Sequence, residues 1–307
     1  MRPLTHGFLS FSLPCVVGVP LALTCVSRIA RADEPPAAAP ATKPAETPPE
    51  PKIRFIIEPV GDGAILAGSL AFSVVLDQLV STGELRPQQP QGTSNLLAID
   101  RFALTQTLDP NAGPRSTLGL YAAVVFAVVD PVLTGWRDSP SAGLVDAILY
   151  AESLSITSGV TDLTKIAIRR PRPSAYLEQQ RLTAAYGKNA PDVTGTNSAL
   201  SFFSGHASTV ATIGGTATYL SFARSPGTAR PWITLAGFTL LTTFVSYERV
   251  RAGAHFPTDV IAGSLAGAGI GTMVAHMHRE DTVMQRHVWV GAAPLPGGGV
   301  VTASGAW

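Results

Sequence analysis

Six long apolar stretches divide most of this chain: Gly63–Val80, Thr117–Thr134, Gly143–Ile168, Gly205–Phe222, Trp232–Arg249 and Thr258–His276. Each is too long for an ordinary strand. Short segments rich in proline, glycine or charge (RPQQPQG, WRDSPS, RSPGTAR) break the chain between them. Long apolar runs bounded by such breakers read as helices. The pattern predicts an all-α helical bundle of about six main helices, with a shorter amphipathic helix at Asn95–Leu108. The final stretch, HVWVGAAPLPGGGVVTASGAW, alternates around a Pro-Gly cluster and predicts a small C-terminal β-hairpin of low stability on its own.

Such a bundle either has a deep core or meets lipid. Hydrophobic residues make up 46% of the 307-residue chain and charged residues only 14%, well below the ~25% charged share of soluble domains. Asp77, Asp130, Asp146, Glu152 and Asp162 interrupt the apolar stretches, and charges are expensive inside a bilayer. A membrane-embedded bundle and a soluble one therefore both fit, with segment length and charge placement favouring the membrane. If all six stretches cross after signal cleavage, Lys165 ends on the cytoplasmic side; if Gly63–Val80 lies along the surface and the other five cross, Lys165, His206 and His255 face the exported side. Arg137, Arg224, Arg230 and Arg279 then fall inside, as cytoplasmic loops prefer.

The start of the chain reads as an export signal. MRPLTHG precedes the apolar run FLSFSLPCVVGVPLALTCVS, and Ala30-Arg31-Ala32 supplies a small-x-small cleavage pattern. Residues 1–32 are expected to be a signal peptide and 33–52 (DEPPAAAPATKPAETPPEPK) a Pro/Ala-rich linker. A helical domain follows over 53–280 and a tail over 281–307. Removing 1–32 takes away Arg2, Arg28 and Arg31 and changes the net charge from +1 to −2. Neither value suits a nucleic-acid binder that works by bulk charge. Both cysteines, Cys15 and Cys25, leave with that segment, so thiol chemistry and disulfides are not expected of the mature chain. The expected location is the inner membrane with a periplasmic site, or the soluble periplasm.

Three short stretches carry residues that a bundle does not need in order to fold. SYERVRAGAHFPTDV contains Arg249, His255 and Asp259. His255 and Asp259 are four apart and can meet on one face; a carboxylate on one imidazole nitrogen would fix the tautomer and expose the other nitrogen. SFFSGHAS places Ser204, Gly205 and His206 at the start of a helix, where free N–H groups favour an anion. KIAIRRPRP places Lys165 and Arg172 either side of a turn, able to converge only if the chain folds back. Three cations aimed at one anion would make a phosphate clamp.

Taken together, Lys-x6-Arg-Pro, Ser-Gly-His and Arg-x5-His-x3-Asp resemble the signature of the type-2 phosphatidic acid phosphatase and vanadium haloperoxidase superfamily. The resemblance implies a helical phosphatase. Lys165, Arg172, Ser204, Gly205 and Arg249 would bind phosphate oxygens. His255 would be the nucleophile that forms a phosphohistidine, Asp259 its orienting carboxylate, and His206 the general acid. It also implies no metal at the site and no cofactor. The substrate would be a lipid phosphate (phosphatidic acid, phosphatidylglycerol phosphate or a polyprenyl pyrophosphate), or else a small phosphomonoester. A soluble acid phosphatase, a vanadate-dependent haloperoxidase and a non-catalytic headgroup binder are the alternatives. Two positions depart from the pattern: Phe203 stands where proline is usual, and Glu248 where serine is usual. Glu248 threatens to repel an anion unless it turns away, with Arg251 as its expected partner. His276, His278, His287, Arg169 and Arg170 read as solvated residues. Glu152 and Asp162 read as internally paired, with a possible role in positioning Lys165.

Overall fold

A computed structural model of the chain describes residues 53–281 except 84, 86, 87 and 194, together with the backbone of 287–295 and 298–306. The helices among them are α1 (Pro59–Ser81), α2 (Ala98–Thr105), α3 (Ala112–Arg137), α4 (Pro140–Ile168), α5 (Pro173–Tyr186), α6 (Gly205–Arg224), α7 (Arg230–Arg251) and α8 (Pro257–Met277). The six apolar stretches correspond to α1, α3, α4, α6, α7 and α8, and the amphipathic segment to α2. The expected signal peptide and linker lie outside the described residues. In the tail the backbone runs as two antiparallel strands, β1 (His287–Leu295) and β2 (Gly298–Ala306). Its side chains lie outside the described residues, so a packed hairpin there stays an expectation.

Helix α5 was not foreseen. Its sequence, PSAYLEQQRLTAAY, has no apolar stripe, and only Pro173, Ala175 and Tyr176 are buried. Proline at its first position presets the backbone dihedral and gives up an N–H that the helix start would leave unpaired.

The core forms where α3, α4, α6, α7 and α8 meet, around Leu149, Tyr150, Val210, Ile213, Leu220 and Val245. The tightest seam joins α6 to α8. A methyl group on Gly267 would lie 2.1 Å from the Ser208 carbonyl oxygen, and one on Gly271 2.3 Å from that of Thr212. Only glycine lets the two backbones approach this closely. The seam fixes the start of α6, with Ser204, against the start of α8.

Helix α1 is the element for which two placements were open, along the surface or across with the other five. It runs beside and parallel to α4: Ser69 Oγ is 2.7 Å from Ser155 Oγ, and Phe72 packs on Gly159 one turn further along both helices. Its outer face exposes Ile65, Leu70, Val74, Val75 and Leu79. Helices α3, α7 and α8 likewise expose large apolar side chains, among them Leu118, Val125, Ile233, Leu240 and Leu265. An apolar exterior of this extent marks a surface that meets something other than water. Helices α1, α3 and α8 are long and apolar enough to cross a bilayer. Asp130 and Asp146 turn inward and pair, whereas Asp77 is exposed. Asp130 meets Arg230 at 2.8 Å and the Tyr150 hydroxyl at 3.0 Å, while Arg224 Nε donates to Asp146 at 2.8 Å.

Candidate active site

Every sequence-predicted site residue comes from an element terminus at one end of the bundle. Lys165 is in the last turn of α4, Arg172 caps α5, Ser204 caps α6 ahead of Gly205 and His206, Arg249 is in the last turn of α7, His255 precedes α8, and Asp259 is in its first turn. The fold-back needed to bring Lys165 and Arg172 together is made by Arg169. At φ 48° it takes the left-handed conformation that closes a helix, and its N–H donates to the Lys165 carbonyl at 2.9 Å. The Arg172 N–H then docks on the Ser198 carbonyl at 2.7 Å. Between Arg249 and His255, Gly253 turns the chain at φ +66°, where a Cβ would also strike Leu108 at 2.8 Å. Its carbonyl accepts from Ser174 N–H at 3.0 Å, which ties the turn to α5.

The three cations converge on the two histidines. Burial lowers the pKa of His206 to about 4, helped by the positive charges of Arg249, Lys165 and Arg172. Burial likewise pushes His255 well below the usual imidazole range, with Arg172, Arg249 and Lys165 again adding to the depression. Arg172 is itself lowered to about 10, by burial and by Arg249. Lys165 Nζ lies over the start of α6, 3.6 Å from where a Gly205 Cβ would be, and bonds Asp162 at 3.2 Å. The buried Nε–H groups of Arg172 and Arg249 have no acceptor among the described residues. Like charges gathered with spare donors are costly unless an anion joins them.

Both imidazoles are therefore neutral at pH 6.5 in the phosphate-free protein. Below about pH 6.5 the unfolded chain takes up protons that the folded one refuses, so stability falls as pH drops. An added phosphate offsets most of the positive charge that Lys165, Arg172 and Arg249 place around the two rings. Histidine 15N shifts recorded with and without orthophosphate are expected to show the His206 midpoint rising from about 4 as phosphate saturates. An unchanged midpoint would place His206 away from the anion.

The orienting contact differs from the one expected. His255 Nδ1 bonds the Ser201 carbonyl at 2.6 Å rather than Asp259. Asp259 reaches His255 through the same serine: Ser201 Oγ donates to Asp259 Oδ2 at 2.5 Å. That oxygen also accepts from the Phe256 N–H at 2.8 Å, closing the start of α8. A carbonyl can only accept, so Nδ1 carries a proton and Nε2 of the neutral ring carries the lone pair.

Arg170 is not a solvated residue either. It donates to Asp259 at 2.5 Å, to Asp100 at 2.7 Å and to Thr258 Oγ1 at 2.8 Å, and it stacks 4.3 Å from the Phe256 ring centroid. Asp100, fully buried, also accepts from the Thr258 N–H at 3.0 Å. Helix α2 thus braces the start of α8 through a carboxylate. Ser201 and Thr258 escaped the sequence reading because no motif marks them, while Arg170 read as solvated or touching a lipid headgroup and Asp100 only as a residue that could line the entrance. A charge pattern did exist, in Asp100 on a short amphipathic helix beside no basic partner at helical spacing.

Glu248 turns away from the cations, but onto Arg115 of α3 rather than Arg251. Arg115 Nε and a terminal nitrogen donate to it at 3.0 and 2.8 Å. Arg251 pairs with Asp109 at 3.6 Å instead. Phe203 is buried against Gly263, so the ring adds packing at the place where the resemblance has proline. Thr117 of α3 adds a contact that the sequence did not suggest, 3.3 Å from His206 Nε2.

One solved structure, of a transmembrane PAP2-type phosphatidylglycerolphosphate phosphatase from Bacillus subtilis, is similar at 18% identity and a TM-score of 0.42, over 70% of this chain and 94% of that one. No curated protein matches the chain. The family model of the PAP2 superfamily matches residues 146–282, a segment that holds Lys165, Arg172, Ser204, Gly205, His206, Arg249, His255 and Asp259. That segment, rather less than half of the chain, is what is similar to the PAP2 superfamily.

Proposed function

We propose that this chain is a membrane-associated phosphatase that releases phosphate from a lipid phosphate through a phosphohistidine at His255. The observation that carries the reading is the convergence of Lys165, Arg172 and Arg249 on two neutral histidines. The exposed apolar faces of α1, α3, α7 and α8 favour a substrate that stays in a bilayer over a water-soluble ester.

In the first step the Nε2 lone pair of His255 attacks phosphorus. The bond from phosphorus to the leaving oxygen breaks, and that oxygen takes a proton from His206. The dianionic phosphate supplies the field that protonates His206 on binding, so the acid is made by the substrate it serves. In the second step His206 takes a proton from water, whose oxygen attacks phosphorus as the P–N bond breaks, and neutral His255 is restored. The three cations and the N–H groups at the start of α6 neutralise charge that builds on the equatorial oxygens. Ser201, held by Asp259, keeps the His255 ring in the required tautomer.

The test is release of inorganic phosphate from detergent-dispersed phosphatidic acid, phosphatidylglycerol phosphate and a polyprenyl pyrophosphate, with EDTA present. Acid-sensitive, base-stable label on a histidine after rapid quench is the expected companion result. Phosphate release without a histidine adduct would remove the mechanism, and no release from any of the three would remove the substrate class.

A further inference from the structure

A second cluster of ionisable groups sits at the other end of α8, about 30 Å from His255 along a helix of 21 residues. His278, expected to be solvated, is buried. Its Nε2 lies 3.2 Å from Asp62 Oδ1 of α1 and 3.3 Å from Glu152 Oε2 of α4. All three residues are at least nine-tenths buried, with their facing atoms within 4.8 Å of one another. Glu152 Oε2, on a side chain 3% exposed, has no hydrogen-bond donor. Asp62 Oδ2 accepts from the Glu58 N–H at 2.7 Å, which holds that carboxylate in place.

His278 Nδ1 is 2.8 Å from the Val274 carbonyl, which can only accept, so one ring proton is committed there. In the neutral ring, Nε2 points a lone pair at two carboxylates. Protonated, it offers one N–H to two carboxylates. Two carboxylates and a neutral imidazole balance a divalent ion to zero. The Nδ1–carbonyl bond is also the outer contact that orients a ligating histidine.

We propose that Asp62, Glu152 and His278 bind a first-row divalent cation. One imidazole with two carboxylates is a ligand set that zinc accepts, at bonds of about 2.0–2.2 Å. Tetrahedral edges for such bonds are about 3.3 Å, close to the two His278 spacings, so ligation needs little movement. A cavity of about 580 Å³ opens onto all three residues, walled by Ile65, Ile156, Ile270 and Met273, and provides the way in. Asp62 lies outside the family segment, so the ion fastens α1 to the family's helices. Backbone bonds from Ile56 N–H to the His278 carbonyl (2.8 Å) and from Glu280 N–H to the Arg54 carbonyl (3.0 Å) close the same corner.

The experiment uses the full chain in detergent, stripped with a chelator and dialysed against Zn²⁺. The expected result is one zinc per chain, a higher unfolding temperature, and binding at least about 100-fold weaker in Glu152→Gln and Asp62→Asn. Equal zinc content in wild type and both variants would overturn the proposal. X-ray absorption at the zinc edge of the wild type needs no variant to fold. One imidazole nitrogen with oxygen ligands supports the site, whereas sulfur ligation would place the ion on Cys15 or Cys25 and overturn it.

Discussion

The His255→Ala chain is expected to release phosphate at least about 10⁴-fold more slowly than wild type, as losses of an attacking group do. The imidazole presents a lone pair in a tautomer fixed by the Ser201 carbonyl, and direct attack by water would need as its base the same His206 that the first step uses as acid. The variant should fold. His255 sits in a turn whose backbone is set by Gly253 and Asp259, and its own side chain contributes one hydrogen bond, to Ser201. Helical circular dichroism and the unfolding temperature check that point, and EDTA-treated phosphate release checks the rate. A rate within about tenfold of wild type would remove His255 from the chemistry.

The second large effect is on stability. Arg170→Met leaves Asp100 and Asp259 buried without their shared counter-charge, and breaking such a pair from one side costs about 3–5 kcal/mol. Both carboxylates are 0% exposed, so neither can recover its hydration. For a domain of this size the loss corresponds to a drop of roughly 10 °C in unfolding temperature. Arg170→Lys should recover only part of it, because an ammonium cannot reach two carboxylates and a hydroxyl in one plane while stacking on Phe256. A thermal scan of the three proteins is sufficient. An unfolding temperature unchanged in Arg170→Met would show that Asp100 and Asp259 are not held as charges.

The apolar stretches were legible because length and breakers specify a helix without reference to its neighbours. The same holds for the site's catalytic candidates, which lie in three compact motifs at helix ends. What escaped was whatever depends on two distant segments meeting. Arg170 looked solvated beside Arg169, yet its partners are 70 and 89 residues away. The spacing of His255 and Asp259 allowed a direct contact. The chain instead puts Ser201 between them, because the α6–α8 glycine seam brings the 201–204 segment against the start of α8. His278 looked like a helix-end residue until α1 and α4 each supplied a carboxylate. Helix α5 escaped for the opposite reason: it buries so little that no apolar period marks it.

The parallel course of α1 and α4 has a consequence for sidedness. Asp62 lies at the His278 end of the molecule and α1 finishes at the His255 end, so a bilayer crossed by α1 separates residue 58 from His206 and His255. A flank kept in the cytoplasm would deliver the phosphate site to the outside. A flank exported ahead of α1 would deliver it to the cytoplasm. A cleaved export signal and an outward-facing site, both expected from the sequence, are thus incompatible if α1 crosses. Labelling a single cysteine placed before Pro59, in intact cells, would read out which of the two the protein has given up.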